Sequence, residues 1–128
     1  MELGYVIVYV EDVPATIAFY EKAFGLTRRF VDDSGSYGEL QTGATTLSFA
    51  QEEFTPTRGL FHLNRAGAKP GGIEIGLVSR DVAADFAAAL AAGAVSVLAP
   101  MQKPWGQTVA YVSDLNGVLV EICSPIEG

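Results

Sequence analysis

Residues 5–13, YVIVYVEDV, decide the fold, because the same pattern returns at residues 73–82, IEIGLVSRDV. Each stretch begins as an apolar run typical of a strand and leads to an aspartate, Asp12 in the first and Asp81 in the second. Each aspartate can act as the N-cap of a helix, since its carboxylate accepts hydrogen bonds from the first free backbone N–H groups. The chain is therefore predicted to contain two similar strand–helix starts.

The two predicted helices also resemble each other further along. Apolar side chains recur in both at helical spacing, and they are Ile17, Tyr20 and Phe24 in the first helix and Val82, Phe86 and Leu90 in the second. Each helix is predicted to end at a glycine, Gly25 or Gly93, because glycine readily adopts the left-handed conformation that follows many helices. The repeat thus extends from the strand through the whole helix.

Three strands are predicted after each helix. They lie at residues 27–32, 36–41 and 45–51 in the first half and at residues 95–98, 107–113 and 118–123 in the second. The Asn116–Gly117 pair is typical of the turn of a hairpin. The predicted fold is α+β, with two βαβββ units in a single domain over residues 1–128. Unit one covers residues 1–51, a polar connector 52–72, and unit two 73–128.

Composition limits the class of protein. A chain of 128 residues and 13.5 kDa fits one compact domain. Since 49% of the residues are hydrophobic, the chain can form a core without a metal or a disulfide, and disorder is excluded. The single cysteine, Cys123, rules out an internal disulfide.

Charge and hydropathy limit the partners. Eight basic residues stand against 15 acidic ones, for a net charge of −7. This balance argues against a nucleic-acid or anionic membrane surface and favours neutral or cationic small ligands. No apolar run approaches the roughly 20 residues of a membrane span, and the N-terminal residues lack the basic segment of a signal peptide. We therefore expect a cytoplasmic protein.

Several short motifs match a known family. The first unit reads VED at residues 10–12, FY at 19–20 and FGL at 24–26, and the second reads PWG at 104–106, YVSDLNG at 111–117 and VEI at 120–122. In these motifs the chain resembles the vicinal oxygen chelate superfamily. That family includes glyoxalase I, extradiol dioxygenases, fosfomycin resistance enzymes, methylmalonyl-CoA epimerase and the bleomycin resistance proteins. The resemblance covers essentially the whole chain.

The resemblance implies an architecture. Each βαβββ unit would curl into a half-barrel, and paired half-barrels would enclose a cavity, often across a homodimer. The pattern is closest to the metal-free branch that resembles bleomycin resistance proteins. The resemblance is specific for the fold and says little about activity.

The same resemblance identifies the positions at which metal-dependent members carry ligands, on the first and last strand of each unit. In this chain they are Tyr5, Ser48, Glu74 and Glu121. Zinc, nickel and iron favour imidazole nitrogen, whereas oxygen-only sites suit magnesium, calcium or manganese. The only histidine, His62, falls in the connector and matches no ligand position. We therefore expect no tight transition-metal site and no cofactor, and a weakly held divalent metal remains an alternative.

Strand alternation indicates where the two glutamates point. Successive side chains of a strand face opposite sides, so Ile73, Ile75 and Leu77 are predicted to lie under the helix and Glu74 to face the cavity. Glu121, between two apolar neighbours, behaves likewise. Two nearby carboxylates would raise at least one pKa. The alternative is that each carboxylate pairs with an arginine or lysine, or lies at a wet rim.

Three functions fit these residues. In the leading interpretation, Glu74 and Glu121 hold a cationic or aromatic ligand without a metal. In the second, these carboxylates and Tyr5 are catalytic acid/base groups of a lyase or isomerase acting beside a carbonyl. In the third, a weak magnesium or manganese site supports glyoxalase-type chemistry.

The predicted ligand-binding set combines these positions with nearby aromatic and polar residues. Trp105, between a proline and a glycine, is expected at the cavity mouth as a stacking wall, with Gln107 supplying an orienting amide. Cys123 is expected to be a buried, unreactive thiol. The complete set is Tyr5, Ser48, Phe49, Glu74, Trp105, Gln107, Tyr111 and Glu121.

Overall fold

A computed structural model of the chain describes residues 1–126 and divides it into two compact units. Unit 1 is Met1–Asn64 and unit 2 is Arg65–Gly128. Their boundary falls inside the predicted connector, whose first part belongs to unit 1 and whose second part belongs to unit 2. The last two residues of the predicted second unit, 127 and 128, lie outside the described residues.

Unit 1 is a four-stranded sheet with one helix. In chain order its elements are β1 (Tyr5–Val10), α1 (Val13–Phe24), β2 (Thr27–Val31), β3 (Tyr37–Gln41) and β4 (Thr46–Gln51). The strand order is β1-β4-β3-β2, with β1 parallel to β4 and the other pairs antiparallel.

Unit 2 repeats this plan. Its elements are β5 (Glu74–Val78), α2 (Val82–Ala91), β6 (Val95–Gln102), β7 (Thr108–Ser113) and β8 (Leu119–Cys123). The strand order is β5-β8-β7-β6, with β5 parallel to β8 and the remaining pairs antiparallel. The predicted α+β class and the two βαβββ units are confirmed.

The helices begin and end where the sequence predicts. The Asp12 carboxylate accepts from the Ala15 backbone N–H at 3.0 Å, and the Asp81 carboxylate accepts from the Ala84 N–H at 3.1 Å. Gly25 and Gly93 follow the two helices with φ of +66° and +108°. These caps supply partners for backbone groups that a helix end leaves free.

Each helix covers one face of its own sheet. In unit 1 the helix side chains Ile17 and Tyr20 are fully buried together with Leu40 and Phe49 of the sheet. In unit 2 the buried residues on the helix side of the sheet include Ala110, Val112, Val120 and Ile122. We call the opposite side of each sheet its open face. Away from the register irregularities in β2 and β6, side chains of the open face alternate along each strand with those of the core.

Two details differ from the sequence-based expectation. Strand β6 continues to Gln102, four residues beyond the predicted end, because Pro100 lies in an edge strand, where a missing N–H donor is tolerated. The expectation that Ile73 lies under the helix is wrong. It precedes β5 and is 78% exposed, whereas Ile75 and Leu77 are half-buried.

No helix of the described chain is both long and apolar enough to cross a membrane.

Candidate functional site

Unit 2 brings Glu74, Glu121 and Tyr111 together on its open face. Glu121 lies on β8 between Gly76 of β5 and Tyr111 of β7, its partners in the sheet register. Glu74 precedes Gly76 by two residues, so it shares this face. A Cβ atom at Gly76 would meet no atom within 4 Å, which leaves free space beside the Glu121 side chain.

The carboxyl group of Glu121 is perturbed by its neighbours. Burial raises its pKa above the ordinary value of 4.5, and hydrogen bonding and charge repulsion from Glu74 raise it further. The Tyr111 hydroxyl and the Lys103 ammonium act in the opposite direction. Within residues 1–126 neither glutamate forms an ion pair, and Glu74 is exposed, so the alternative of a carboxylate at a wet rim still applies to Glu74. The two carboxyl groups therefore interact with each other, and their interaction raises the pKa of Glu121.

Two groups beside this pair, Tyr111 and Cys123, have raised pKa values. Burial raises the pKa of Tyr111, and the charges of Glu121 and Glu74 add to the rise. The phenol therefore keeps its proton at neutral pH, next to Glu121 in the sheet register. The Cys123 thiol also has a raised pKa, because of burial first and then the same two carboxylates. It contacts the Leu77 carbonyl at 3.7 Å, as expected for an unreactive thiol.

Trp105 is fixed in the loop between β6 and β7. Its indole Nε1–H donates to the Gln107 side-chain carbonyl at 2.9 Å, and the Gln107 amide donates to the Ser124 backbone oxygen at 2.9 Å. The Lys103 ammonium lies 5.8 Å from the centre of the indole ring. Trp105 is 61% exposed, so the ring is both oriented and accessible. Gln107 is occupied by these bonds and positions Trp105.

Unit 1 contains the other three predicted ligand-binding residues. Tyr5 is 57% exposed on β1, and Ser48 is buried on the same open face. Phe49 alternates with Ser48 along β4 and is 0% exposed, with its ring 4.9 Å from that of Tyr20 on the helix side. Phe49 thus belongs to the core, and the expectation that it stacks on a ligand is not supported by this position.

A polar group on the open face of unit 1 was missed by the sequence analysis. The Tyr37 hydroxyl donates to Glu39 at 2.7 Å, and Arg29 approaches the same carboxylate at 3.6 Å. Burial raises the pKa of Tyr37; the nearby Ser48 hydroxyl counteracts part of this rise but lacks the geometry of a hydrogen bond. Arg29 sits at an irregularity in the β2–β3 register, which residue spacing does not reveal.

Comparison with known proteins identifies the family. A sequence model of the Glyoxalase/Bleomycin resistance protein/Dioxygenase superfamily matches residues 2–122. The chain belongs to this superfamily. The resemblance drawn from the strand–helix motifs is thereby supported at the level of the superfamily. Comparison with curated protein sequences found no match.

Solved structures of the superfamily share the fold. A glyoxalase-related enzyme from Fulvimarina pelagi has a TM-score of 0.81 at 21% identity, over 98% of this chain and 88% of that one. A glyoxalase/bleomycin resistance protein/dioxygenase family enzyme from Burkholderia phytofirmans PsJN has a TM-score of 0.75 at 22% identity, over 97% and 98%. A superfamily member from Sphaerobacter thermophilus DSM 20745 has a TM-score of 0.71 at 20% identity, over 98% of each chain. At these identities the similarity shows the fold alone.

The metal-ligand positions of the superfamily do not fit a transition metal in this chain. They hold a phenol, a hydroxyl and two carboxylates, and the Ser48 hydroxyl is buried without a hydrogen-bond partner. Within residues 1–126 no three His, Cys, Asp or Glu side chains are grouped so that they could hold a metal ion. His62 is exposed in the connector. The donors therefore lack the imidazole nitrogen that zinc, nickel or iron favours.

Lys103 is the residue of unit 2 that the sequence analysis overlooked. It influences Glu121 and lies over Trp105, although more than a dozen residues separate it from Glu121 in the chain. The sequence did contain a sign of this position, because Lys103 lies two residues before Trp105. A loop that carries Trp105 to the cavity mouth carries Lys103 with it. Its link to Glu121 depends on how the β6–β7 loop folds back.

Proposed function

We propose that this protein binds a small organic cation between Glu74 and Glu121 without using a metal. The observation that carries the proposal is the close approach of two carboxyl groups that have no ion-pair partner within the described chain. A cation placed between them would offset their mutual repulsion. The net charge of −7 favours the approach of such a ligand.

One aromatic side chain beside the pair, and a second in the loop that carries Lys103, suit an organic cation better than a metal ion. Tyr111 lies beside Glu121 in the sheet, and Trp105 presents an exposed, oriented indole. A cation over an aromatic face gains about 0.5–2 kcal/mol. Space at Gly76 leaves room for groups larger than an ion. The proposed ligand is therefore an aromatic or alkyl ammonium.

A titration with benzyltrimethylammonium tests this proposal. Trp105 is the only tryptophan of the chain, so its fluorescence reports on unit 2. We expect Glu74→Gln combined with Glu121→Gln to weaken binding at least tenfold, because both charges that face the ligand are removed. The proposal fails if this double variant, folded as judged by circular dichroism, binds the probe as tightly as the parent.

Two controls show whether binding of the cation depends on Glu74 and Glu121 themselves or only on the net charge of the protein. Glu2→Gln combined with Glu53→Gln also removes two negative charges, at exposed sites of unit 1. This variant should bind benzyltrimethylammonium like the parent. The neutral probe benzyl alcohol should bind parent and Glu74→Gln/Glu121→Gln protein equally weakly, since it lacks the charge that the carboxylates recognise.

A second candidate function is proton transfer at a carbon beside a carbonyl, as in a lyase or isomerase. It is favoured by the raised pKa of Glu121 and by the neutral Tyr111 hydroxyl next to it. An ionised carboxylate of the pair would accept the carbon-bound proton while the phenol donates a hydrogen bond to the carbonyl oxygen. Tyr5, the third predicted catalytic residue, belongs to unit 1, and its catalytic role stays a prediction.

Deuterium exchange tests the catalytic alternative. The protein would be incubated with 2-hydroxyacetophenone in D2O, and loss of the proton signal next to the carbonyl followed by NMR. Exchange above the buffer rate that disappears in Glu121→Gln protein supports catalysis. Exchange at the buffer rate leaves binding as the function of the pair.

A further inference from the structure

Unit 1 contains a separate open cavity of about 250 Å³. It lies where the C-terminal ends of β1 and β4 meet the beginning of β3 and the residues that follow β4. The cavity is lined by three aromatic side chains together with small apolar and uncharged polar ones, namely Ile7, Tyr9, Ser36, Tyr37, Ala50, Gln51, Phe54, Thr55 and Pro56. None of these lining residues carries a charged side chain, which favours a neutral occupant.

Tyr9 is fixed in the wall of this cavity. Its ring stacks on Phe61 with centres 4.5 Å apart and planes 14° from parallel, and its backbone oxygen accepts from the Asn64 amide at 2.9 Å. Phe61 covers one face of the ring, so only the other face and the edge remain for the cavity. The segment after β4 thereby holds Tyr9 in one orientation.

The Tyr9 hydroxyl is prepared to donate a hydrogen bond. The Thr55 and Thr57 hydroxyls lie 3.2 and 3.3 Å from the Tyr9 oxygen, with geometry to donate to it, and 2.9 Å from each other. Each threonine hydroxyl has one hydrogen, so either both donate to Tyr9 or one donates to the other, which then donates to Tyr9. In both arrangements the Tyr9 oxygen accepts, and the phenol hydrogen is free for another acceptor. The same two hydrogen bonds lower the pKa of Tyr9, which makes the phenol a stronger donor.

Other polar side chains of the lining are already engaged. The Tyr37 hydroxyl donates to Glu39 at 2.7 Å, so its hydrogen is already used and cannot be donated to a ligand. The Gln51 amide donates to the Glu11 backbone oxygen at 3.3 Å, and its carbonyl accepts from the Glu53 N–H at 2.6 Å. The ligand would therefore be oriented by Tyr9 and surrounded by apolar surface.

We propose that this cavity binds a neutral, planar aromatic molecule of one or two rings that accepts a hydrogen bond from the Tyr9 hydroxyl. The size follows from the volume, which lies below the roughly 300–1,000 Å³ of sites for drug-sized ligands. The aromatic character follows from Tyr9, Tyr37 and Phe54 in one cavity. This site involves unit 1 residues only and does not depend on the function proposed for unit 2.

Titration with quinoline at neutral pH tests the proposal. Quinoline has two fused rings and one nitrogen acceptor, and naphthalene has the same shape without the acceptor. We expect quinoline to shift the NMR signals of Tyr9, Tyr37 and Ala50, and to bind about three- to tenfold more tightly than naphthalene, the ratio expected for one hydrogen bond. This comparison uses the parent protein and needs no variant.

Two variants sharpen the test. Tyr9→Phe removes the donor and should make the affinities for quinoline and naphthalene equal. Ala50→Leu fills the cavity and should abolish the binding of both probes, whereas Ala18→Leu, on the exposed side of α1, should leave both unchanged. The proposal is overturned if quinoline leaves the Tyr9 and Tyr37 signals unmoved, or if folded Ala50→Leu protein binds it like the parent.

Discussion

Gly117 shows how one residue can decide a local structure. It completes the turn between β7 and β8 with φ of +80°, and a Cβ atom there would collide with the Arg65 backbone carbonyl. The Asp114 carboxylate supports the same turn by accepting from the backbone N–H groups of Asn116 at 2.7 Å and Val118 at 2.9 Å. Both conformation and space therefore require glycine.

Gly117→Ala is expected to destabilise the fold by roughly 2–4 kcal/mol, as left-handed backbone strain and overpacking add. Gly25→Ala is the matched comparison, because Gly25 also has a positive φ but open space around its Cβ position. It should cost only about 1 kcal/mol. Urea unfolding measures both free energies. Equal losses for the two variants would show that the contact with Arg65 contributes nothing.

The sequence predicted which face of a sheet a side chain occupies wherever regular strand alternation determines that face. Glu121 lies between buried Val120 and Ile122 and faces away from the core, as its position in the alternation predicts. Phe49 was predicted to contact a ligand because it is aromatic. Its alternation with Ser48 along β4 instead directs its ring into the core. Arg29 could not be predicted to reach Glu39, since this depends on an irregular register that the sequence pattern does not encode.

At the scale of elements, the N-cap of α2 makes a measurable contribution. The Asp81 carboxylate accepts from the Ala84 N–H, and α2 is rich in alanine, with few large side chains to anchor it. We expect Asp81→Ala to lower the free energy of unfolding by about 1 kcal/mol and Asp81→Asn to preserve most of it, because asparagine also caps well. Thermal unfolding followed by circular dichroism gives the comparison. A loss of equal size in both variants would contradict a capping role.

In the β6–β7 loop, the hydrogen bonds of Gln107 hold the Trp105 indole in the orientation proposed for ligand contact. Gln107→Met removes both the bond to the Trp105 indole and the bond to the Ser124 backbone oxygen. The indole should then move more freely, lowering its fluorescence anisotropy and weakening benzyltrimethylammonium binding about threefold. Gln102→Met, at an exposed site on β6, serves as the control. Unchanged anisotropy in the Gln107 variant would show that Trp105 is held by other contacts.

Helices and strands were predicted more completely than the surroundings of the site. Caps, terminal glycines and apolar spacing lie close together in the chain, so the bounds of α1 and α2 followed from short stretches. The extension of β6 past Pro100 depends on that strand lying at a sheet edge. The approach of Lys103 to Glu121 and the cavity around Tyr9 depend on loop paths, which local patterns do not determine.

For the whole molecule, Glu121 links stability to pH. Its pKa is raised above 4.5 on folding by burial and by Glu74, with Tyr111 and Lys103 opposing and Cys123 nearby. The folded state therefore holds this proton more tightly than the unfolded state. The resulting stabilisation is fully present below pH 4.5 and is lost as pH rises through the raised pKa.

Glu121→Gln should remove this pH dependence. At neutral pH the variant is expected to be more stable than the parent by about 0.5 kcal/mol, the scale of an unfavourable cross-strand pair, with the difference shrinking toward pH 4. Urea unfolding across this range measures it, and Glu53→Gln is the exposed control. A constant difference at every pH would mean that Glu121 has no raised pKa in the folded protein.

The assembly of the whole molecule stays a prediction from the resemblance. A homodimer in solution would have twice the chain mass of 13.5 kDa. Light scattering during size-exclusion chromatography measures this directly. A mass equal to that of one chain at all concentrations would contradict the expected dimer.

The affinity for benzyltrimethylammonium as a function of pH tests the central claim most directly. If the cation binds to the ionised carboxylate of Glu121 beside Glu74, the parent should bind more tightly as pH rises through the raised pKa of Glu121, and Glu121→Gln should bind weakly with no such rise. Calorimetry or Trp105 fluorescence measures both proteins under identical salt. An affinity that is the same at every pH, or the same in parent and variant, would contradict the account.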